Sequence, residues 1–113
     1  MAMDLAIEEY DKGVLILVDG DIDTLTASQL QSCLTSQLTD TSQVFIIDMA
    51  KVRYISSMGL RVFLSHLKRV KARGGYMVIS GAGQLVIDVF RMSGFLEYFE
   101  MTTDLDSARS RLA

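Results

Sequence analysis

The sequence predicts an α/β fold, with one mixed sheet of four to five strands flanked by four helices. Three observations carry that expectation. Short apolar runs rich in Val, Ile and Leu recur at residues 14–18, 44–48 and 76–80. Between them the apolar residues repeat at helical spacing, as in Leu60, Phe63, Leu64, Leu67 and Val70. A turn or cap residue stands at each hand-over, giving the order β-β-α-β-α-β-α-β-α and helices packed against one sheet. At 113 residues, the chain 1–113 reads as a single domain, long enough to bury a core and too short for two.

Residues 4–10 and 14–18 are β-prone and separated by Asp11-Lys12-Gly13. Asp-x-Gly between such runs signals a hairpin. The aspartates of Asp19-Gly20-Asp21-Ile22-Asp23-Thr24 are spaced like the opening of a calcium loop. That loop requires glycine at its sixth position and an acid at its twelfth; Thr24 and Leu30 stand there, so calcium is excluded. The segment instead turns a strand into a helix, with Asp23 or Thr24 as the N-cap. From Leu25 onward, Ala27, Leu30, Cys33, Leu34 and Leu38 share one helix face, opposite Ser28, Gln29, Gln31, Ser32 and Thr35. Thr39-Asp40-Thr41-Ser42 is a polar loop before the buried strand at 44–48.

Next comes Ser56-Ser57-Met58-Gly59, where that strand gives way to a helix. Serine is a preferred N-cap, and a helix N-terminus also favours negative charge. These serines are therefore caps, phosphate contacts or phosphate acceptors. The helix runs to about Arg73 and stops at Gly74-Gly75. After the strand at 76–80, Gly81-Ala82-Gly83 opens a helix through Val86, Ile87, Val89, Phe90 and Met92, ended by Gly94. A last strand is expected within 95–101 and a terminal helix over 102–112. Asp104 and Asp106 fall in the first turn of that helix and Arg109 and Arg111 near its end, the charge order its dipole favours.

The net charge of −3 hides an asymmetry. Residues 51–73 hold seven basic residues (Lys51, Arg53, Arg61, Lys68, Arg69, Lys71, Arg73) and no acid, whereas the other ninety carry four basic residues against fourteen acids, or −10. With few interleaved aromatics and an acidic whole, direct nucleic-acid binding is not expected. The basic stretch reads first as a solvated helix face and second as a contact for an acidic protein. Cys33 is the one cysteine, so no internal disulfide forms and a reducing compartment is expected. Met1-Ala2-Met3-Asp4 lacks a basic region followed by an apolar one, and no apolar run nears the ~20 residues of a membrane span. A cytoplasmic protein without membrane insertion is expected.

Enzyme chemistry finds little support. His66 is the one histidine and neighbours no Cys, Asp or Glu in sequence, so it reads as an ordinary helix residue. Ser57 lacks the Gly-x-Ser-x-Gly elbow of a hydrolase. Gly81-Ala82-Gly83 lacks the third glycine of a dinucleotide loop, because Val86 stands in its place. No cofactor or metal is expected.

Four motifs in order resemble the STAS domain, in particular the stand-alone bacterial anti-sigma factor antagonists. They are Gly20-Asp21-Ile22-Asp23 at the first helix, Val44-Phe45-Ile46-Ile47-Asp48 as central strand, Tyr54-Ile55-Ser56-Ser57-Met58-Gly59-Leu60 as phosphorylation loop, and Ser93-Gly94-Phe95 followed by Phe99. The resemblance implies a partner-switching regulator. Unphosphorylated, it binds an anti-sigma factor that is also a serine kinase; phosphorylation releases it, and a serine phosphatase resets it. The common loop reads Asp-Ser-Ser/Ala-Gly-Leu, which puts the acceptor at Ser57, with Ser56 as second choice. Ser56 stands where the family has Asp, and Met58 at the second Ser/Ala. Asp21, Asp23, Ser56, Ser57, Met58, Gly59 and Arg61 are the expected partner-binding residues. An alternative with the same fold is a STAS subunit of an ABC-type transport assembly or a small-ligand or nucleotide sensor.

Overall fold

The computed structural model describes residues 3–39 and 43–110. Strands β1 (Asp4–Glu9) and β2 (Gly13–Asp19) form the expected hairpin, antiparallel and in register from Asp4 opposite Asp19 to Glu9 opposite Val14. Helix α1 (Ala27–Ser36) leads to β3 (Val44–Lys51), α2 (Ser57–Ala72) to β4 (Tyr76–Ser80), and α3 (Gln84–Met92) to β5 (Glu100–Thr102). The sheet order is β1-β2-β3-β4-β5, and every pair after the hairpin is parallel. The mixed five-stranded sheet of the sequence reading is therefore present.

Alternation along the strands explains the two layers. Val14, Ile16 and Val18 of β2, with Phe45, Ile47 and Met49 of β3, point to the side where α1, α2 and α3 pack. Those helices contribute Leu30 and Leu34, then Leu60, Phe63, Leu67 and Val70, then Val86 and Phe90. Leu15, Val44, Ile46 and Val78 face the other way, against Ala108 of the short helix α4 (Leu105–Arg109). A bridge of 3.0 Å from Arg109 to Glu8 on β1 pins α4 across that second face. Right-handed crossovers put the three longer helices on one side and leave the other to α4.

Two expectations shift. The last strand, expected within 95–101, is short and lies at the end of that stretch. Phe95 leads into a 3-10 turn at Leu96–Tyr98, and only Glu100–Thr102 pair with β4. The terminal helix begins at Leu105, because the Asp104 carboxylate accepts the Ser107 N–H at 2.8 Å and so acts as cap instead of first-turn residue. Arg111 and Leu112, like Asp40-Thr41-Ser42 of the polar loop, lie outside the described residues. The long helix ends as expected, with Arg73 as C-cap and Gly74 at φ +79°, a left-handed conformation that glycine adopts at no steric cost.

Candidate functional site

In a parallel sheet, every connection that leaves the C-terminal end of a strand emerges on the same edge of the molecule. Residues 20–26, 52–56 and 81–83 meet this condition after β2, β3 and β4. The first two are stitched together by an isolated parallel bridge between Ile22 and Ile55. The Ile22 N–H donates to the Tyr54 carbonyl at 2.9 Å, and the Ser56 N–H donates to the Ile22 carbonyl at 2.7 Å. Both isoleucines are buried, so these loops form a small extension of the sheet with its own apolar anchor.

Gly59 sits over that anchor. A Cβ there would lie 2.6 Å from Ile22 Cγ2 and 2.9 Å from Ile55 Cγ1. Only glycine lets the first turn of α2 approach so closely. Gly59, expected among the partner contacts, instead faces the protein's own interior, and its role is to seat the helix.

The two serines separate. Ser56 has extended backbone (φ −84°, ψ 168°), and its hydroxyl accepts the Gly59 N–H at 3.2 Å. At 8% exposure it is a buried N-cap, which removes the ground for treating it as the second acceptor. Ser57, the first helical residue, is exposed, and its hydroxyl has no hydrogen bond among the described residues. Beside it Met58 is 43% exposed and Tyr54 52%, and Leu25 on the neighbouring loop is 84% exposed. Tyr54 and Leu25 did not stand out as contact residues in the sequence. The available signal was that Leu25 falls between Asp23 and the first turn of α1, off its apolar stripe.

The N-cap of α1 is Thr26, without a side-chain cap bond, and not Asp23 or Thr24 as expected; Asp23 instead organises the turn that precedes it. Its Oδ1 accepts the Leu25 and Thr26 N–H groups at 2.9 and 2.8 Å, and Thr26 Oγ1 accepts the Asp23 N–H in return. This reciprocal pair has the pattern of a capping box. The Thr26 N–H, more than any other contact, holds the Asp23 carboxyl below its usual range. Asp23 thus shapes the loop, while Asp21, half-buried, gives only its carbonyl to the Thr26 hydroxyl. Arg61 is exposed, one helical turn beyond Ser57.

The rest of the basic helix is partly committed elsewhere. Arg69 Nη1 donates to Thr35 Oγ1 at 3.3 Å and Arg73 Nη1 to the Thr39 carbonyl at 3.1 Å, clipping α2 to the end of α1. His66 is buried between α2 and the sheet, edge-on to Phe45 with ring centroids 4.5 Å apart. Burial, and secondarily the Arg69 charge, lowers its pKa to about 4. It stands nine residues from Ser57, roughly 13 Å along the helix, and gives Ser57 no base. Gly81 takes φ +71° at the turn after β4, and Val86, in the place of a third dinucleotide glycine, is a core residue. Among the described residues no group of His, Cys, Asp and Glu is placed to hold a metal, and no helix is long and apolar enough to cross a membrane.

The model of the STAS domain matches residues 4–108. The chain belongs to the STAS family. Among its relatives is BtrV of Bordetella bronchiseptica, named as a candidate anti-sigma factor antagonist, 29% identical over 106 residues that span 94% of this chain and 91% of that one. Solved STAS structures share the architecture. An anti-sigma factor antagonist from Mycobacterium paratuberculosis superposes with a TM-score of 0.86 at 21% identity, covering 98% of this chain and 94% of that one. Bacillus SpoIIAA in its phosphorylated form gives 0.78 at 18%, covering 97% and 100%. At those identities the likeness is one of fold, and it includes the mixed sheet and flanking helices described above.

Proposed function

We propose that this STAS protein is an anti-sigma factor antagonist-type regulator that works by partner switching, with Ser57 as its phosphate acceptor. One observation carries the assignment: of the two adjacent serines, Ser56 is buried and engaged as a cap, whereas the Ser57 hydroxyl is exposed and unbonded. The relatives named as anti-sigma factor antagonists and the phosphorylated form of SpoIIAA support the same role. The partner is an anti-sigma factor with serine kinase activity, and a serine phosphatase restores the binding form. The role is regulatory, in line with the relatives named as anti-sigma factor antagonists.

Exposed Leu25, Tyr54 and Met58 give the docking surface apolar contacts around a neutral hydroxyl. Phosphorylation adds about −1.5 to −2 charges at that point. An unpaired charge pressed into an interface costs on the order of several kcal/mol, and ~1.4 kcal/mol is tenfold in affinity. Release therefore needs no unfolding. The test is incubation with the serine kinase and ATP followed by peptide mass spectrometry. Ser57→Ala is expected to abolish labelling; a Ser57→Ala chain labelled as strongly as wild type overturns the assignment.

A further inference from the structure

Arg69, Arg73, Arg91 and Arg109 each donate to a named acceptor, whereas Arg53, on the loop before α2, and Arg61, on α2 itself, are exposed with no hydrogen bond or ion pair among the described residues. Of the two, Arg61 is the one on the helix that Ser57 opens. It lies at i+4 from Ser57 on α2, where side chains share a face with Cβ atoms about 5–6 Å apart. Long helical side chains lean toward the helix N-terminus, so the guanidinium of Arg61 projects back over the turn that holds Ser57. No acid stands between residues 51 and 73 to compete for it, and on the facing loop Asp23 Oδ1 accepts from the Leu25 and Thr26 N–H groups and the Thr26 hydroxyl, while neither Asp21 nor Asp23 forms an ion pair among the described residues.

We propose that Arg61 is a positioning residue for the modified state, closing on the phosphate of phosphorylated Ser57 and so leaving the docking surface when that phosphate arrives. This rests on Ser57 being the acceptor. Phosphorylation then has two effects at one place. It puts a negative group where a partner expects a hydroxyl, and it draws away an exposed cation one helical turn from that hydroxyl. A guanidinium offers a planar pair of donors to two phosphate oxygens, which a lysine cannot match. In the unmodified protein the same arginine is free to meet an acidic group of the partner.

The experiment installs phosphoserine at position 57 of the full chain during translation, which bypasses any kinase, and follows its second ionisation by phosphorus NMR. The ordinary value is about 6, and an adjacent cation lowers it. Arg61→Ala is expected to raise it by about 0.3 pH unit or more at low ionic strength. Arg61→Lys should give a smaller rise, and ~1 M salt should erase the difference between the chains. Lys68→Ala, about three turns from Ser57, removes one charge from the same helix and is expected to change nothing. Equal titration in wild type and Arg61→Ala overturns the clamp and leaves Ser57 as acceptor. A salt-independent difference overturns it too, because that would report altered folding and not an ion pair. Failure of the underlying assignment shows separately, as absence of kinase labelling at Ser57.

Discussion

His66 shows how a single side chain can be wholly structural and still carry a measurable signature. Neither imidazole nitrogen has a hydrogen-bond partner among the described residues, and the ring is 3% exposed. Burial holds the folded-state pKa at about 4, below the usual 6.5. Above pH 6.5 both folded and unfolded chains are neutral there and the residue contributes no pH dependence. As pH falls from 6.5 toward 4 the unfolded chain takes up a proton that the folded chain refuses, so stability declines by on the order of 3 kcal/mol across that window and then levels. Denaturant melts at pH 7 and pH 4.5 should show the loss in wild type, and His66→Leu should remove this part of it. The sequence revealed His66 as a helix residue, and the signal for its burial was there unread: its i±4 neighbours Val62 and Val70 are apolar, and all three lie on the buried face of α2.

At the scale of elements, the turn into α2 depends on a contact that local sequence cannot display. The strand before it, the serine cap and the terminating glycines were all legible, because caps and stops act on their own neighbours. The bridge between Ile22 and Ile55 joins residues far apart in the chain, and the inward role of Gly59 follows from it. Adding one methyl group is therefore expected to be costly. Gly59→Ala improves helix propensity yet forces a Cβ against Ile22 and Ile55, so a net destabilisation of about 1–3 kcal/mol is expected in thermal or chemical unfolding. A stability equal to or above wild type would mean that the turn relaxes without loss. The last strand was legible as a short one, but not its start: a 3-10 turn at Leu96–Tyr98 takes up the residues before it, and only Glu100–Thr102 are extended.

For the molecule as a whole, the fold brings to one edge four of the nine exposed large apolar residues among those described. Leu25 and Tyr54, on connections at the C-terminal end of the parallel strands, and Met58 and Leu85, in the first turns of α2 and α3 that follow such connections, are exposed apolar residues. The rest of the sequence-derived site divides by function: Ser56, Gly59 and Asp23 build the turn, while Ser57, Met58 and Arg61 present themselves outward. A substitution confined to the presented set should affect binding and spare stability. Met58→Asp is expected to weaken association with the anti-sigma factor by at least ~100-fold, about 2.7 kcal/mol, while melting within a few degrees of wild type. Calorimetric titration and a thermal scan on the same sample decide it; equal affinity would remove Met58 from the interface.

The stitch between Ile22 and Ile55 has a consequence for when the serine can be read. Its two sides come from connections separated by a helix and a strand, so it forms only once β2 and β3 have paired. Before that, Ser57 belongs to a flexible segment with no cap behind it and no apolar neighbours arranged around it. With Ser57 as the acceptor proposed above, a kinase that recognises the assembled edge would pass over nascent and unfolded chains, and the phosphate would report, besides an upstream signal, that the molecule carrying it has completed folding.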